Sequence, residues 1–174
     1  MTSGKWLVLA IVGVTAVFGA AQWYFQTAAF YEPITAADAA LEVTLEDGQR
    51  VPLEVVEFDG IDADTSPLRL RACFRLTDAA TAVVADAMPY PDAAPLIAPG
   101  WFECFDAPAI GAALETGEAT AILSAKDHVY GVDRVVAVFP DGRGFAWPQL
   151  NPCGEAAFSS DPLPADCPPA PESS

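Results

Sequence analysis

The sequence predicts an α+β protein, in which an N-terminal transmembrane helix precedes a small, mostly antiparallel sheet domain with two short helices and disulfide staples. Three observations predict this fold class. The chain opens with a long apolar run, continues in segments where apolar and polar residues alternate, and places its four cysteines after the apolar run. Alternation with a period of two is typical of half-buried strands, and cysteines of exported domains usually form disulfides.

The N-terminal segment, residues 6–25, would span about 30 Å as a helix, the thickness of a bilayer's hydrocarbon core. No charged residue occurs between Trp6 and Tyr31, and the aromatic residues at the end of this stretch are typical of a membrane–water interface. The alternative is a cleaved signal peptide, with Lys5 as its basic residue and a cleavage site at Gly19 to Ala21. Because the aromatic residues continue beyond that site, we expect an uncleaved signal-anchor.

The distribution of basic residues predicts the orientation of this span. Lys5 precedes it, and the next basic residue along the chain is Arg50. The positive-inside rule therefore places residues 1–5 in the cytoplasm of a bacterial inner-membrane protein and residues 32–174 in the periplasm. We expect residues 26–40 to form a tether between the span and the soluble domain.

The soluble part is strongly acidic. The part of the chain after Tyr31 carries seven basic and all twenty-four acidic residues, so its net charge is more negative than the −16 of the whole chain. Such a surface repels nucleic acid, so we expect no nucleic-acid partner. It would attract basic proteins or divalent cations, although solubility alone also accounts for the charge. The length of this part fits one domain.

The four cysteines, Cys73, Cys104, Cys153 and Cys167, are expected to form two disulfides. Three pairings are possible, and we favour nearest neighbours in sequence, Cys73 with Cys104 and Cys153 with Cys167. Metal binding is a poor alternative, because the chain has no CxxC pair and only one histidine. We therefore expect no metal and no cofactor.

The soluble domain is predicted to extend over residues 41–158. Alternation between Leu41 and Phe58, broken by Asp47 and Gly48, predicts two strands joined by a hairpin turn. The remaining elements are a strand at 68–76, a helix at 77–88, a helix at 106–114, and strands at 119–123, 129–139 and 144–150, in a sheet of five or six strands with both helices on one side. Residues 159–174 read as an irregular tail rich in proline and serine.

The strand at 68–76 carries three of the chain's eight basic residues, Arg69, Arg71 and Arg75, on the face opposite its apolar side chains. One interpretation is cross-strand pairing with acidic residues, for which Glu42, Glu46, Glu54 and Glu57 are the candidates. The other is an anion-binding face, and we favour the pairing. If Cys73 binds Cys104, the loop at 99–106 must lie over this face, where its aromatic residues Trp101, Phe102 and Phe105 could stack on the guanidinium groups.

Asp59, Asp62 and Asp64 resemble the opening of a calcium-binding loop. The match fails at the two positions that matter most, where Pro67 replaces the glycine and Cys73 replaces the bidentate glutamate. A surface turn is the better interpretation of this segment.

Two further residues could carry chemistry. His128 follows Asp127 and could serve as a general base, but the GxSxG and SxxK nucleophile motifs are absent. Cys73 lies between two arginines, which could lower its pKa for thiol exchange. Without a CxxC motif, a structural disulfide is the better interpretation, so we expect no enzymatic activity.

Three segments together resemble a known group of proteins. They are FDGIDADTSPLRLRACFRL, APGWFECFDAPAIGAALETGEA and YGVDRVVAVFPDGRGFAWPQLNPCGEA. The chain resembles an uncharacterised family of single-span alphaproteobacterial membrane proteins, classed as a domain of unknown function, from the anchor to Pro169. Members of that family sometimes carry a histidine kinase label. This sequence is too short for an ATP-binding domain plus a phospho-acceptor helix, so it does not support that label.

The function expected from the sequence is that of a non-enzymatic, membrane-anchored periplasmic partner in the assembly of a larger envelope complex. The alternative is a module that binds a small ligand or ion through the arginine face or through the aspartate-rich loop. A thiol-redox enzyme is a third hypothesis, which would require a free or readily reduced cysteine pair.

Overall fold

The computed structural model describes residues 3–159 and 161–170. They divide into two compact units, a helical one that ends at Tyr31 and a sheet domain that begins at Glu32. The first unit is the helix α1, Ser3–Thr27, as predicted. The span Gly4–Thr27 has 24 residues, and an 18-residue stretch within it has a mean hydropathy of 1.8. This is enough in length and composition to cross a membrane, and an N-terminal signal sequence would have the same properties.

The sheet domain contains one six-stranded sheet, a separate two-stranded hairpin and four short helices. In chain order its elements are β1 (Glu32–Ile34), α2 (Ala36–Ala39), β2 (Glu42–Thr44), β3 (Arg50–Pro52), β4 (Val55–Asp62), β5 (Arg71–Leu76), α3 (Asp78–Val84), α4 (Ala107–Thr116), β6 (Thr120–Val129), β7 (Val132–Val138), β8 (Arg143–Leu150) and α5 (Pro152–Ser159). The large sheet has the order β1-β4-β5-β8-β7-β6, and each neighbouring pair is antiparallel. The α+β class is therefore confirmed.

One face of the sheet is covered by the β2–β3 hairpin, α2 and α3. Phe74 of β5 and Val136 of β7 lie in this core with Val43 of β2 and Ala80 of α3. The hairpin turns at Asp47 and Gly48, as predicted. Each large side chain that is fully buried here contributes about 1.5–3 kcal/mol of transfer free energy.

The opposite face is covered by α4 and the segment 99–106 that precedes it. The Phe105 ring packs edge-to-face on Phe145 and Trp147, with centroids 6.0 Å and 6.3 Å away. The prediction that both helices lie on one side is therefore wrong. Because β5 directs Phe74 to one face and Cys73 to the other, and Cys73 is bonded to Cys104, both faces of the central strands become covered.

Both predicted disulfides are confirmed. Cys73 is bonded to Cys104 and Cys153 to Cys167, with Cα atoms 6.3 Å and 5.6 Å apart. The second disulfide attaches the C-terminal tail to α5. A hydrogen bond of 2.9 Å from the hydroxyl of Tyr130 to the carbonyl of Pro168 also holds the tail.

Residues 32–40, expected as a tether, form β1 and α2 of the sheet domain. β1 pairs with the end of β4. α2 begins with a reciprocal capping box in which Thr35 and Asp38 each bond the other's backbone amide, and Ala39 is 1% exposed. A three-residue strand and a four-residue helix are too short to produce a detectable periodicity, which explains why the pattern alone did not reveal them.

Other elements also differ from the prediction. α5 was not expected, and the predicted strand at 51–58 divides into β3 and β4. The predicted helix at 77–88 ends at Val84, β5 begins at Arg71 rather than three residues earlier, β6 continues to Val129 and β7 begins only at Val132. In β6 the last four residues are exposed and the register shifts twice, so their sequence lacks the alternation of a regular strand.

Candidate functional site

A concave surface of the sheet domain lies between α4 and the loop at 90–97, and we call it the α4 groove. Its floor is the stretch Ala119 to Ala121 at the start of β6, and its volume is about 800 Å³. Small residues dominate its walls: Ala93, Ala94 and Pro95 on the loop side, and Ala107, Pro108, Gly111 and Ala112 on the helix side. Such walls leave room for side chains supplied by another molecule.

The helical wall forms because its sequence contains strong start and stop signals. Asp106 is the N-cap, and its side chain accepts a hydrogen bond of 3.1 Å from the amide of Ala109. Pro108 lies in the first turn, and Gly117 ends the helix in the left-handed region at φ 74°. Ile110 and Ala113 are buried, so the face with Gly111 and Ala112 is left to line the groove.

The loop wall is fastened to the sheet by the side chain of Gln149, on β8. Its amide oxygen accepts a hydrogen bond of 2.7 Å from the backbone amide of Ala94, and its amide nitrogen donates one of 3.0 Å to the carbonyl of Asp92. Asp92 itself has a positive φ of 54°. One side chain therefore satisfies both a donor and an acceptor of a loop that has no regular secondary structure.

Arg71 fastens the same loop further along. Its guanidinium group donates to the carbonyls of Leu96 (2.8 Å) and Ile97 (3.2 Å) in the loop. It also donates to the carbonyls of Leu68 (2.9 Å) and Leu70 (2.6 Å) just before β5. Arg71 is only 4% exposed. Its charged group therefore holds backbone together and is not displayed to solvent as an anion-binding face would require.

The loop at 99–106 covers Arg71, as the sequence predicted. The guanidinium carbon of Arg71 lies 5.9 Å from the centre of the Phe105 ring, within the range of a cation–π contact. The rings of Trp101 and Phe102 contact each other edge to face, with centroids 6.2 Å apart. The disulfide between Cys73 and Cys104 joins the same two segments, so β5 holds the stretch from 96 to 105 at both ends.

The other two arginines lie elsewhere on this surface. Arg75 forms an ion pair of 3.8 Å with Glu57 across β4 and β5, which is one of the predicted pairings, and donates to the carbonyl of Asp141 at 2.9 Å. Glu42 instead pairs with Arg50 in the hairpin, at 3.3 Å. Arg69 is half-buried just before β5.

The three aspartates of the calcium-like segment are not gathered into a site. Asp59 and Asp62 belong to β4, and Asp64 follows it. Burial raises the pKa of Asp62 above its ordinary value. Within the parts of the chain that the structure describes, no group of three or more His, Cys, Asp or Glu side chains is arranged to hold a metal ion.

His128 contacts an arginine that the sequence analysis did not single out. The buried guanidinium group of Arg134, on β7, lies 2.9 Å from Nε2 of His128 and donates to the carbonyl of Ala39 in α2. Partial burial lowers the pKa of His128, and the charge of Arg134 lowers it further. The pair therefore connects α2 to the sheet and leaves His128 as the neutral hydrogen-bond acceptor of Arg134.

A second polar network supports the floor of the groove. Buried Asp133 accepts hydrogen bonds from the Tyr90 hydroxyl (3.2 Å), the Asn151 side chain (2.9 Å) and the Asp127 amide (2.9 Å). Burial raises the pKa of Tyr90, and the charge of Asp133 raises it further, so the hydroxyl remains a donor. Asn151 in turn accepts from the amide of Gly154 at the start of α5. The charged pair in the apolar stretch VDRVVAV was the only sequence signal for this network.

The comparisons with known proteins give a family but no activity. No curated protein and no solved structure matches the chain. A family described only as being of unknown function matches residues 41–168. That range includes both walls of the groove, Arg71, Gln149 and all four cysteines. Because the match covers well over half of the sequence, the protein belongs to the family of unknown function DUF6446.

Proposed function

We propose that this protein is a membrane-anchored accessory subunit of a larger envelope complex, and that it binds its partner protein in the α4 groove. α1 would be the uncleaved anchor, with residues 1–5 in the cytoplasm and the sheet domain in the periplasm. Lys5 before the span supports this orientation. Two disulfides support an oxidising compartment.

The observation that carries the proposal is that the loop wall of the groove is held in place before any partner arrives. Gln149 and Arg71 together make four hydrogen bonds to the backbone of residues 92–97. Four contacts from two side chains on a loop without regular structure would be unnecessary if the loop merely connected two elements. A preformed wall lowers the entropy lost on binding, because the loop need not be ordered at that moment.

The composition of the groove supports binding rather than catalysis. Its titratable side chains are Tyr90, Asp92 and Glu115. The Tyr90 hydroxyl is already engaged by Asp133 and stays protonated. The two carboxylates lie at the exposed rim, and among the residues that the structure describes, those that line the groove include no Ser, Cys or His to act as a nucleophile. We therefore expect a non-enzymatic role.

The test is co-purification from native membranes in mild detergent, using the full-length chain with a C-terminal tag. We expect a membrane complex of fixed stoichiometry with the wild-type chain. Ala112→Trp would fill the groove and should abolish co-purification. Ala109→Trp is the matched control, because Ala109 is an exposed residue of the same helix that does not line the groove. A protein that runs alone at its monomer mass in every detergent tested would refute the proposal.

A further inference from the structure

The charge of the α4 groove restricts what it can bind. Within the described part of the chain, its lining contains two carboxylates, Asp92 on the loop wall and Glu115 on the helix wall, and no Lys or Arg. Both carboxylates are exposed. The soluble part around them carries twenty-four acidic and seven basic residues, so the potential at the groove is negative well beyond its rim. A negatively charged occupant would be repelled, whereas a positively charged one would be attracted.

The shape of the groove favours a length of polypeptide over a small molecule. Sites for small ligands enclose most of the ligand and aim a few polar groups at it. Here the lining residues Ala94, Pro108, Ala112 and Thr120 are exposed and the groove is open along one side. The hydroxyl of Tyr90, at the start of the loop wall, is already bonded to Asp133.

The rim of the groove also carries an apolar contact surface. Ile97, whose own carbonyl accepts a hydrogen bond from Arg71, is 79% exposed. A large aliphatic side chain fixed in solvent is suited to the methylene stem of a lysine or arginine, which can cover apolar surface while its charged end reaches a carboxylate. The alanines of both walls leave space for the small side chains between such residues.

From this complementarity we infer that the α4 groove binds an extended basic segment of the partner protein. Its lysine or arginine side chains would pair with Asp92 and Glu115, and small residues between them would pack on the alanine walls. This inference rests on the proposed function, because it specifies the partner that the groove would take. The expected contacts are rim ion pairs, so the interaction should weaken markedly with salt.

The inference can be tested with labelled eight-residue peptides and the full-length protein in detergent, by fluorescence anisotropy at low and physiological salt. We expect an alternating Lys-Ala peptide to bind, and an alternating Glu-Ala peptide not to bind. The double variant Asp92→Asn with Glu115→Gln should weaken binding at least tenfold. The matched control, Glu103→Gln with Glu118→Gln, removes the same charge from exposed positions outside the groove and should change affinity less than twofold.

Three results would overturn the inference. Equal weakening by the two double variants would show that the peptide senses only the overall charge. Displacement by spermidine at the same concentration as unlabelled peptide would show that a small cation is sufficient. Finally, Ala112→Trp could abolish co-purification while the Asp92/Glu115 double variant leaves it unchanged. That result would show that the partner docks in the groove without basic residues, so the proposed function would stand and this inference would fail.

Discussion

Replacing Arg71 with methionine tests whether a buried charge holds the groove wall in place. The substitution keeps an unbranched apolar stem but shortens the side chain and removes four hydrogen bonds to backbone carbonyls. Each bond to a charged donor is worth about 1.5–3 kcal/mol. The carbonyls of Leu96 and Ile97 can be rehydrated if the exposed loop moves. The carbonyl of Leu70 cannot, because that residue is 3% exposed.

We therefore expect Arg71→Met to lower the free energy of unfolding by at least about 2 kcal/mol, because the Leu70 carbonyl left buried without a donor costs about 1–3 kcal/mol and the three other lost hydrogen bonds add to it. Arg75→Met is the matched control on the same strand face. Its ion pair with Glu57 has side chains that are 43% and 74% exposed, so its loss should cost less than about 1 kcal/mol.

The assay is guanidinium unfolding of the full-length protein in detergent, followed by near-ultraviolet circular dichroism, which reports on buried Trp147. Hydrogen exchange provides a local measurement: the amides of Ala94, Leu96, Ile97 and Ala98 should exchange faster in Arg71→Met than in Arg75→Met. If the two variants unfold within about 1 kcal/mol of each other and exchange alike, Arg71 does not hold the wall, and the argument for a preformed groove is refuted.

Two further predictions concern the rest of the domain. Gly131→Ala should lower the melting temperature strongly, because φ is +72° and a Cβ would overlap the backbone of Gly154. Gly142→Ala, at φ +83° with nothing within 4 Å of the new atom, should cost only about 1 kcal/mol; equal melting temperatures would contradict this. Burial lowers the pKa of His128, with Arg134 lowering it further, so the folded state binds this proton more weakly than the unfolded state. The contribution of neutral His128 to the free energy of unfolding should then be fully present above about pH 6.5 and should be lost as the pH falls below it. In thermal melts between pH 5 and 7, His128→Gln should flatten this decline. An unchanged slope would exclude His128 as its source.

The features that sequence predicted correctly depend on local pattern. Alternation identified β5 and the β2–β3 hairpin, and Asp106 with Gly117 bounded α4 to within a few residues. The disulfide pairing followed from spacing along the chain. In each case the signal lies within a few residues or in one residue type, so it does not depend on how distant segments come together.

The candidate site could not be predicted in the same way. The alternation of β5 shows that Arg71 points away from Phe74, but it does not show whether that direction leads to solvent or to another segment. The sequence around Gln149 does not indicate that its side chain holds the loop, because its two hydrogen-bond partners lie more than fifty residues earlier in the chain. The groove exists only because a proline-rich loop and α4 are brought together by these long-range contacts, which no local pattern encodes.

The placement of the C-terminal tail has a practical consequence for the experiments above. β6 begins at the floor of the groove and ends at Val129, next to the tyrosine whose hydroxyl binds the carbonyl of Pro168. Ten residues of strand cover about 30 Å, so the groove and the attachment of the tail lie at opposite ends of one strand. The attachment of the tail at Pro168 is therefore remote from the α4 groove, so we expect a C-terminal affinity tag or reporter to leave the proposed binding site accessible.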